Sequence, residues 1–340
     1  MPCKGVPATS STRPGRRAEV VPGLGGSCRE QGVSVTEGPV KIAAVGACHP
    51  DRKARAAAPF IEGASNPVDL RSCPGGVARN AAETLARLGA AVALVSRLGQ
   101  DAEGEAMLEA LRSLPLDLRG VTRSQGTPTA FHLIALQPDG EMLVALADMG
   151  IYDEITPALL ESLPSDLWEV DAIFADCNLP AGTLGFLAGL RRDSRLLAVN
   201  GVSPAKVERL RPLLAACDLL FVNRQEAAAL LAAAGLDPLD ATAKLRAAGA
   251  GEVVMTLGGA GICVAAAEES VMLETLDNRV VDITGAGDAL AAAFLEARVR
   301  GCDPTAAGRR ALAAAKLTVA SEDSVSRQLS PQALDRLVAP

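Results

Sequence analysis

Aromatic side chains are almost absent from this 340-residue chain: Phe, Trp and Tyr together make up 2%, with one Trp and one Tyr. Platforms on which nucleobases of a nucleic acid could stack are correspondingly scarce. Histidine is rarer still, with only His49 and His132, and no two of the eight cysteines form a C-x-x-C pair. That argues against a zinc site of the usual His/Cys type and against a triad built on histidine. No stretch approaches the ~18–20 charge-free apolar residues of a spanning helix. With a net charge of −7 there is no general attraction to nucleic acid or to an anionic membrane. Chemistry must therefore run on carboxylates, backbone amides and hard, oxygen-bound cations.

What is present describes an ordinary globular protein. Apolar residues account for 49% and charged residues for 21%, enough for a real core. The length fits two domains or one large decorated α/β domain. Cysteines scattered through a chain of this size read as small buried hydrophobes in a reducing compartment, the cytoplasm. Residues 1–38 stand apart: they carry Thr9-Ser10-Ser11-Thr12, Arg13, Arg16 and Arg17, and no acid before Glu19. This composition fits a disordered extension or an organellar, for example mitochondrial, targeting segment. The folded domain is expected over residues 39–338.

From Lys41 onward, short β-type runs (41–46, 92–98, 171–176, 196–200, 219–222 and 253–257) alternate with Ala- and Leu-rich stretches. Val77, Ala81, Leu85 and Leu88 repeat at helical spacing, and Gly89 stands where a helix C′ residue belongs. The stretch 288–300, closed by Gly301, reads the same way. Alternating strands and helices predict an α/β/α sandwich on a mostly parallel sheet, with ligands beyond the carboxyl ends of its strands. Two stretches break the alternation. Residues 48–73 have no helical face, and residues 129–149 form a hairpin turning at Pro138-Asp139-Gly140. Together they predict a small β lid over the site.

The strongest chemical signal is Asp282-Ile283-Thr284-Gly285-Ala286-Gly287-Asp288, which opens a helix. Glycines at a helix entry let the backbone approach a ligand, and the helix dipole favours an anion there. A carboxylate repels an anion, so Asp288 is better suited to taking a proton from an attacking hydroxyl. Phosphoryl transfer to an alcohol needs this combination. In isolation the motif also reads as a plain helix cap. No G-x-G-x-x-G follows the first strand and no G-x-x-x-x-G-K-[ST] occurs anywhere, which disfavours dinucleotide-binding and P-loop enzymes.

The motif resembles the signature of the ribokinase-like (PfkB) carbohydrate and nucleoside kinases. So does Gly75-Gly76-Val77-Ala78-Arg79-Asn80, with Asn223, Glu226 and the Thr256-Leu257-Gly258-Gly259-Ala260-Gly261 loop in fitting order. Within that family the chain is most similar to the pseudouridine kinases, through Ser65-Asn66-Pro67, Ala147-Asp148-Met149 with Ile151-Tyr152-Asp153, 202–206 and 316–321. The resemblance implies the following roles. Asp288 is the base on a 5′-hydroxyl, and Gly285, Ala286 and Gly287 form the anion hole. Asp51, Gly75, Gly76 and Asn80, with Ser65 and Asn66, hold the nucleoside or sugar. Thr256, Gly258, Gly261 and Lys206 line ATP, whose Mg2+ is organised by Asn223 and Glu226 through water. Asp282 and Thr284 belong to a loop that in several relatives takes a monovalent cation such as K+. A homodimer formed through the lids is implied as well.

The chain departs from the family pattern at two places. It has His49-Pro50-Asp51 where the family usually has Asn-x-Asp, and Asn200-Gly201 where Glu-Pro is expected. His49 reads as a solvated strand-end residue and His132 as a packed lid residue. Besides a pseudouridine kinase, a kinase of ribose, fructose or an ordinary nucleoside fits, as does a degenerate member that only binds.

Overall fold

The computed structural model describes residues 38–191, 195–267, 270–277 and 280–339. The extension expected over 1–38 lies outside the described residues except for its last position. The chain begins with β1 (Lys41–Val45), β2 (His49–Ala56), β3 (Val68–Gly75), α1 (Val77–Arg87), β4 (Ala91–Gly99), α2 (Ala102–Arg112) and β5 (Leu116–Ser124). The hairpin β6 (Phe131–Leu136) and β7 (Met142–Asp148) follows, then α3 (Pro157–Ser162), β8 (Ala172–Asp176), α4 (Ala181–Gly189), β9 (Leu196–Asn200) and α5 (Pro204–Val207). The remainder is β10 (Leu219–Asn223), α6 (Arg224–Leu231), α7 (Pro238–Ala247), β11 (Glu252–Thr256), β12 (Ile262–Ala265), β13 (Ser270–Leu273), α8 (Ala286–Val299), α9 (Pro304–Val319) and α10 (Pro331–Val338).

Nine strands form the main sheet in the order β13-β12-β11-β10-β9-β8-β1-β4-β5, parallel except at β12 and β13. Successive strand residues face opposite sides, and both sides are dry. Ile42, Ala44, Leu94 and Phe174 pack towards α1, α2, α8 and α9. Ala43, Val45, Val95 and Ile173 pack towards α3 to α7. The three-layer sandwich expected from the alternation is therefore present. On the first side Phe294 of α8 meets Phe221 of β10 edge-on at 5.8 Å, fixing α8 against the sheet.

Strand order reverses at β1: the chain first adds β4 and β5 on one side, then returns to add β8 on the other. Such a reversal opens a crevice at the carboxyl ends of the strands. Over it stands a second sheet of four strands, β3-β2-β6-β7, the lid. Strands β2 and β6 run parallel although 81 residues separate Asp51 from its partner His132. The expected turn at Pro138-Asp139-Gly140 is present, with the Gly140 amide donating to the Gln137 carbonyl at 2.9 Å and Gly140 at φ 93°.

Candidate active site

The carboxyl ends of the central strands form one line. Asp176 ends β8 beside Asn200 of β9, Asn200 pairs with Phe221 of β10, and Asn223 at the end of β10 pairs with Thr256 of β11. Asp176 is fully buried, and its Oδ2 accepts the amides of Ala47 at 2.8 Å and Ala78 at 3.1 Å. It thus fastens both the exit from β1 and the start of α1. Burial raises its pKa, and the Ala47 and Asn178 amides partly offset that.

At the start of α8, Gly285 takes a left-handed conformation (φ 78°) and caps the helix without any side-chain hydrogen bond. A Cβ there would lie 1.9 Å from the Ser324 carbonyl oxygen, so the glycine is demanded by the fold. Gly287 is different: its absent Cβ would meet nothing within 4 Å. The Ala286 amide donates to the Ile283 carbonyl at 3.3 Å, and no side chain caps this helix start, an arrangement that favours an anion there. Asp288 lies in this turn, and the Asn80 amide nitrogen donates to its Oδ2 at 2.8 Å. Burial pushes the Asp288 carboxyl up to about 7; the Asn80 bond opposes this, while the fields of Asp176 and Asp51 add to it.

The lid presents a second carboxylate. Asp51, Lys53, Cys73 and His132 share one face of the small sheet, by alternation along β2 and register with β3 and β6. Asp51 is buried, with His132 Nδ1 at 3.4 Å and His49 Nε2 at 3.5 Å from its Oδ1. Burial alone would raise its pKa. Hydrogen bonding from His132 and His49 outweighs burial and holds it well below the usual carboxylate range. Its Oδ2 occupies the notch of Gly75, where a Cβ would stand 2.1 Å away. Gly76, at φ 97°, lets the backbone pass Ala47, whose carbonyl oxygen would be 2.5 Å from a Cβ.

The sequence reading of both histidines is corrected here. His49 is buried rather than solvated, and its Nδ1 lies 2.9 Å from the Tyr152 hydroxyl, which also accepts the Cys48 amide and donates to the Cys48 carbonyl. His132 is not a mere packing residue, since it touches Asp51. Residue numbers gave no sign of this, because the contact depends on the β2–β6 register.

Asp282 and Thr284 do meet a cation, and it is the ammonium of Lys53. Lys53 Nζ donates to Asp282 Oδ2 and, at 2.8 Å, to Thr284 Oγ1, while the Thr284 amide donates to Asp282 Oδ1 at 2.8 Å. Lys53, overlooked in the sequence, stands two residues from Asp51 and so on the same face of β2.

At the far end, Asn223 and Glu226 form a capping box on α6. Asn223 Oδ1 accepts the Gln225 and Glu226 amides at 2.9 Å, while Glu226 accepts the Asn223 backbone amide at 2.9 Å and its side-chain amide at 2.7 Å. Glu226 is buried, and burial raises its pKa. The unexpected Gly201 has a local reason: a Cβ there would fall 2.8 Å from Glu226 Oε2. Gly258 is left-handed (φ 62°) beside open space, whereas Gly261 (φ 103°) is packed against the Leu273 carbonyl. Lys206 donates to Asn178 Oδ1 at 2.5 Å, and burial lowers its pKa. Ser65 and Asn66 lie in the loop between β2 and β3, where Asn66 accepts the Ile61 amide at 2.7 Å and donates to the Ile61 and Ala64 carbonyls at 3.0 Å. The structure thus joins Asp51 with Gly75 and Asn80 with Asp288, the two carboxylates acting on each other through their fields, and leaves Asn66 binding its own loop.

An open helix start attracts an anionic group, and a carboxylic acid poised near neutrality beside it removes a proton from a hydroxyl. Enzymes that move a phosphoryl group onto an alcohol need both, and here one helical turn of an α/β/α sandwich supplies them. The chain belongs to the pfkB family carbohydrate kinases, whose family model matches residues 40–330. It is 31% identical over 242 residues to the pseudouridine kinase of Escherichia coli, covering 70% of this chain and 77% of that protein. It is 30% identical over 261 residues to a nucleoside kinase of Methanothermobacter thermautotrophicus, covering 74% and 80% of the two chains. A carbohydrate kinase from Agrobacterium tumefaciens superposes with a TM-score of 0.76 at 33% identity, covering 88% of this chain and 98% of that one. The protein is an ATP-dependent phosphotransferase acting on a sugar or a nucleoside. None of the helices among the described residues is long and apolar enough to cross a membrane.

Proposed function

We propose that the protein transfers the γ-phosphoryl group of ATP to the 5′-hydroxyl of pseudouridine, giving pseudouridine 5′-phosphate and ADP. The observation that carries this reading is a pair of carboxylates near enough for their fields to interact, Asp288 held by Asn80 on α8 and Asp51 held by His132 and His49 in the lid. The ionised Asp51 accepts the two hydroxyl hydrogens of a ribose diol. That leaves the primary hydroxyl towards Asp288. Asp288 takes its proton as the oxygen attacks the γ-phosphorus, the bond to the ADP oxygen breaks, and the proton later passes to solvent. The amides of Gly285, Ala286 and Gly287 hold the charge that develops on the transferring group. The choice of base rests on the likeness to the E. coli pseudouridine kinase.

ATP lies along the strand-end row towards Thr256, Gly258, Gly261 and Lys206. Among the described residues no three carboxylate, His or Cys groups gather as a metal cage. Mg2+ would suit this end as an ion carried on the phosphates, with Glu226 and Asn223 reaching it through water. When bound it neutralises phosphate charge. The Lys53 ammonium satisfies the side chains of Asp282 and Thr284, so a separate K+ is not needed by them. The kinase domain spans 39–338, the protein works in the cytoplasm, and two copies join through the lids. That pairing would cover Val68, Leu70, Val144 and Leu146, which are exposed on the lid's outer face.

The test is ATP consumption with pseudouridine, uridine, ribose, fructose and adenosine. Pseudouridine is expected to give the highest kcat/KM. A higher value for free ribose or fructose would remove the substrate assignment and leave the kinase assignment standing.

A further inference from the structure

We infer that His132 reads the base of the substrate, as a bare hydrogen-bond acceptor on the inner face of the lid; this rests on the pseudouridine reading above. Asp51 is flanked in the lid by Cys73 of β3 on one side and His132 of β6 on the other. From Cys73 the chain runs through Gly75 and Gly76 into α1, whose Asn80 touches Asp288. The reacting hydroxyl therefore lies on the β3 side of Asp51. A ribose gripped by its diol at Asp51 turns the opposite end, C1′ with its aglycone, towards His132.

The tautomer of His132 follows from its neighbour. A carboxylate offers only lone pairs, so the ring nitrogen facing it, Nδ1 at 3.4 Å, carries the proton. In the neutral ring Nε2 is then an acceptor. It has no hydrogen-bond partner among the described residues, and the side chain is 32% exposed. His49 cannot play this part, since both its ring nitrogens already face oxygens, of Tyr152 and Asp51.

An acceptor at this place selects a base with a donor. Pseudouridine, a C-glycoside, carries N1–H where the isosteric uridine ring carries C5–H. A base without the donor leaves Nε2 unpaired as the lid excludes water, and sites built around a hydrogen bond discriminate strongly against such analogues. His132 thus separates two nucleosides of the same shape.

The experiment compares kcat/KM for pseudouridine and uridine in the wild type, His132→Leu and His132→Gln. The wild type is expected to favour pseudouridine at least tenfold. In H132L that ratio should fall about tenfold, chiefly through KM for pseudouridine; H132Q, whose amide oxygen restores an acceptor, should keep most of it. A ratio unchanged in H132L would overturn the inference and leave the substrate reading intact, because a residue acting only through Asp51 lowers both substrates alike. If the wild type phosphorylated ribose but not pseudouridine, the substrate reading would fall first and this inference with it.

Discussion

Two carboxylates face the same crevice and are driven in opposite directions. Asp288, in the first turn of α8, has one hydrogen-bond donor from a neutral amide and feels other carboxylates, so burial raises its pKa to about 7. Asp51, on the lid, is the more deeply buried of the two, yet two imidazoles meet it and its pKa is depressed. Burial is common to both; the partners decide the outcome. The first group suits proton exchange near neutrality and the second suits a lasting acceptor, the roles proposed for them. When the environments of two acids are pushed apart in this way, their roles can be assigned from the divergence.

The largest effect should come from removing the proton acceptor. Asp288→Asn is expected to lower kcat by about 10²–10⁴-fold with nucleotide affinity largely kept. The same variant should melt higher than wild type at pH 8. A folded pKa above the unfolded value means that the native state binds the extra proton between about pH 4 and 7, so wild-type stability declines as pH rises through that window. Near-wild-type turnover in the variant would dissolve the contrast with Asp51.

Asp51→Asn should act on binding instead, lowering kcat/KM by about 10²-fold, mostly through KM, as charge-assisted bonds to two hydroxyls are lost. Steady-state kinetics at saturating ATP separates the two constants. A loss confined to kcat would place Asp51 in the chemistry and break the division.

The smallest effect is the sharpest discriminator. Asp288 must be ionised to accept a proton, so log kcat/KM should climb with unit slope below pH 7 and level off above it. At pH 6 the rate should be down about tenfold, a tenth of the groups being ionised. Asp51 adds no step in that range, since its stabilising contribution is lost only as pH falls below the ordinary Asp range.

Much of the α8 side was legible in the sequence and much of the lid side was not. The glycine-bracketed Asp288 declares itself because a helix entry is a local object: residues 282–288 carry the turn, the amides and the carboxylate together. The strand–helix alternation was readable for the same reason. Asp51 could be placed on a strand, but its surroundings come from register. Its partner His132 belongs to a strand 81 positions away, and Tyr152 reaches His49 across 103 residues. Lys53 could have been found, because side chains two apart on a strand share a face. Asp176 ends a strand that was recognised, yet only the folded chain reveals that it binds the amides of Ala47 and Ala78.

That one buried carboxylate has a consequence for how such a protein can diverge. Ala47 and Ala78 flank the two places where the chain leaves the main sheet for β2 and comes back from β3. Gly46 beside them has no room for a side chain, because a Cβ would fall 2.3 Å from Asp176 Oδ2. The pivot is therefore riveted, and with it the position of the lid over the crevice. Strands β6 and β7 arrive by a separate crossing and add to β2 only at its free edge. On the proposed reading, substitutions on that hairpin would trade one aglycone for another while the pivot and the proton transfer stay as they are.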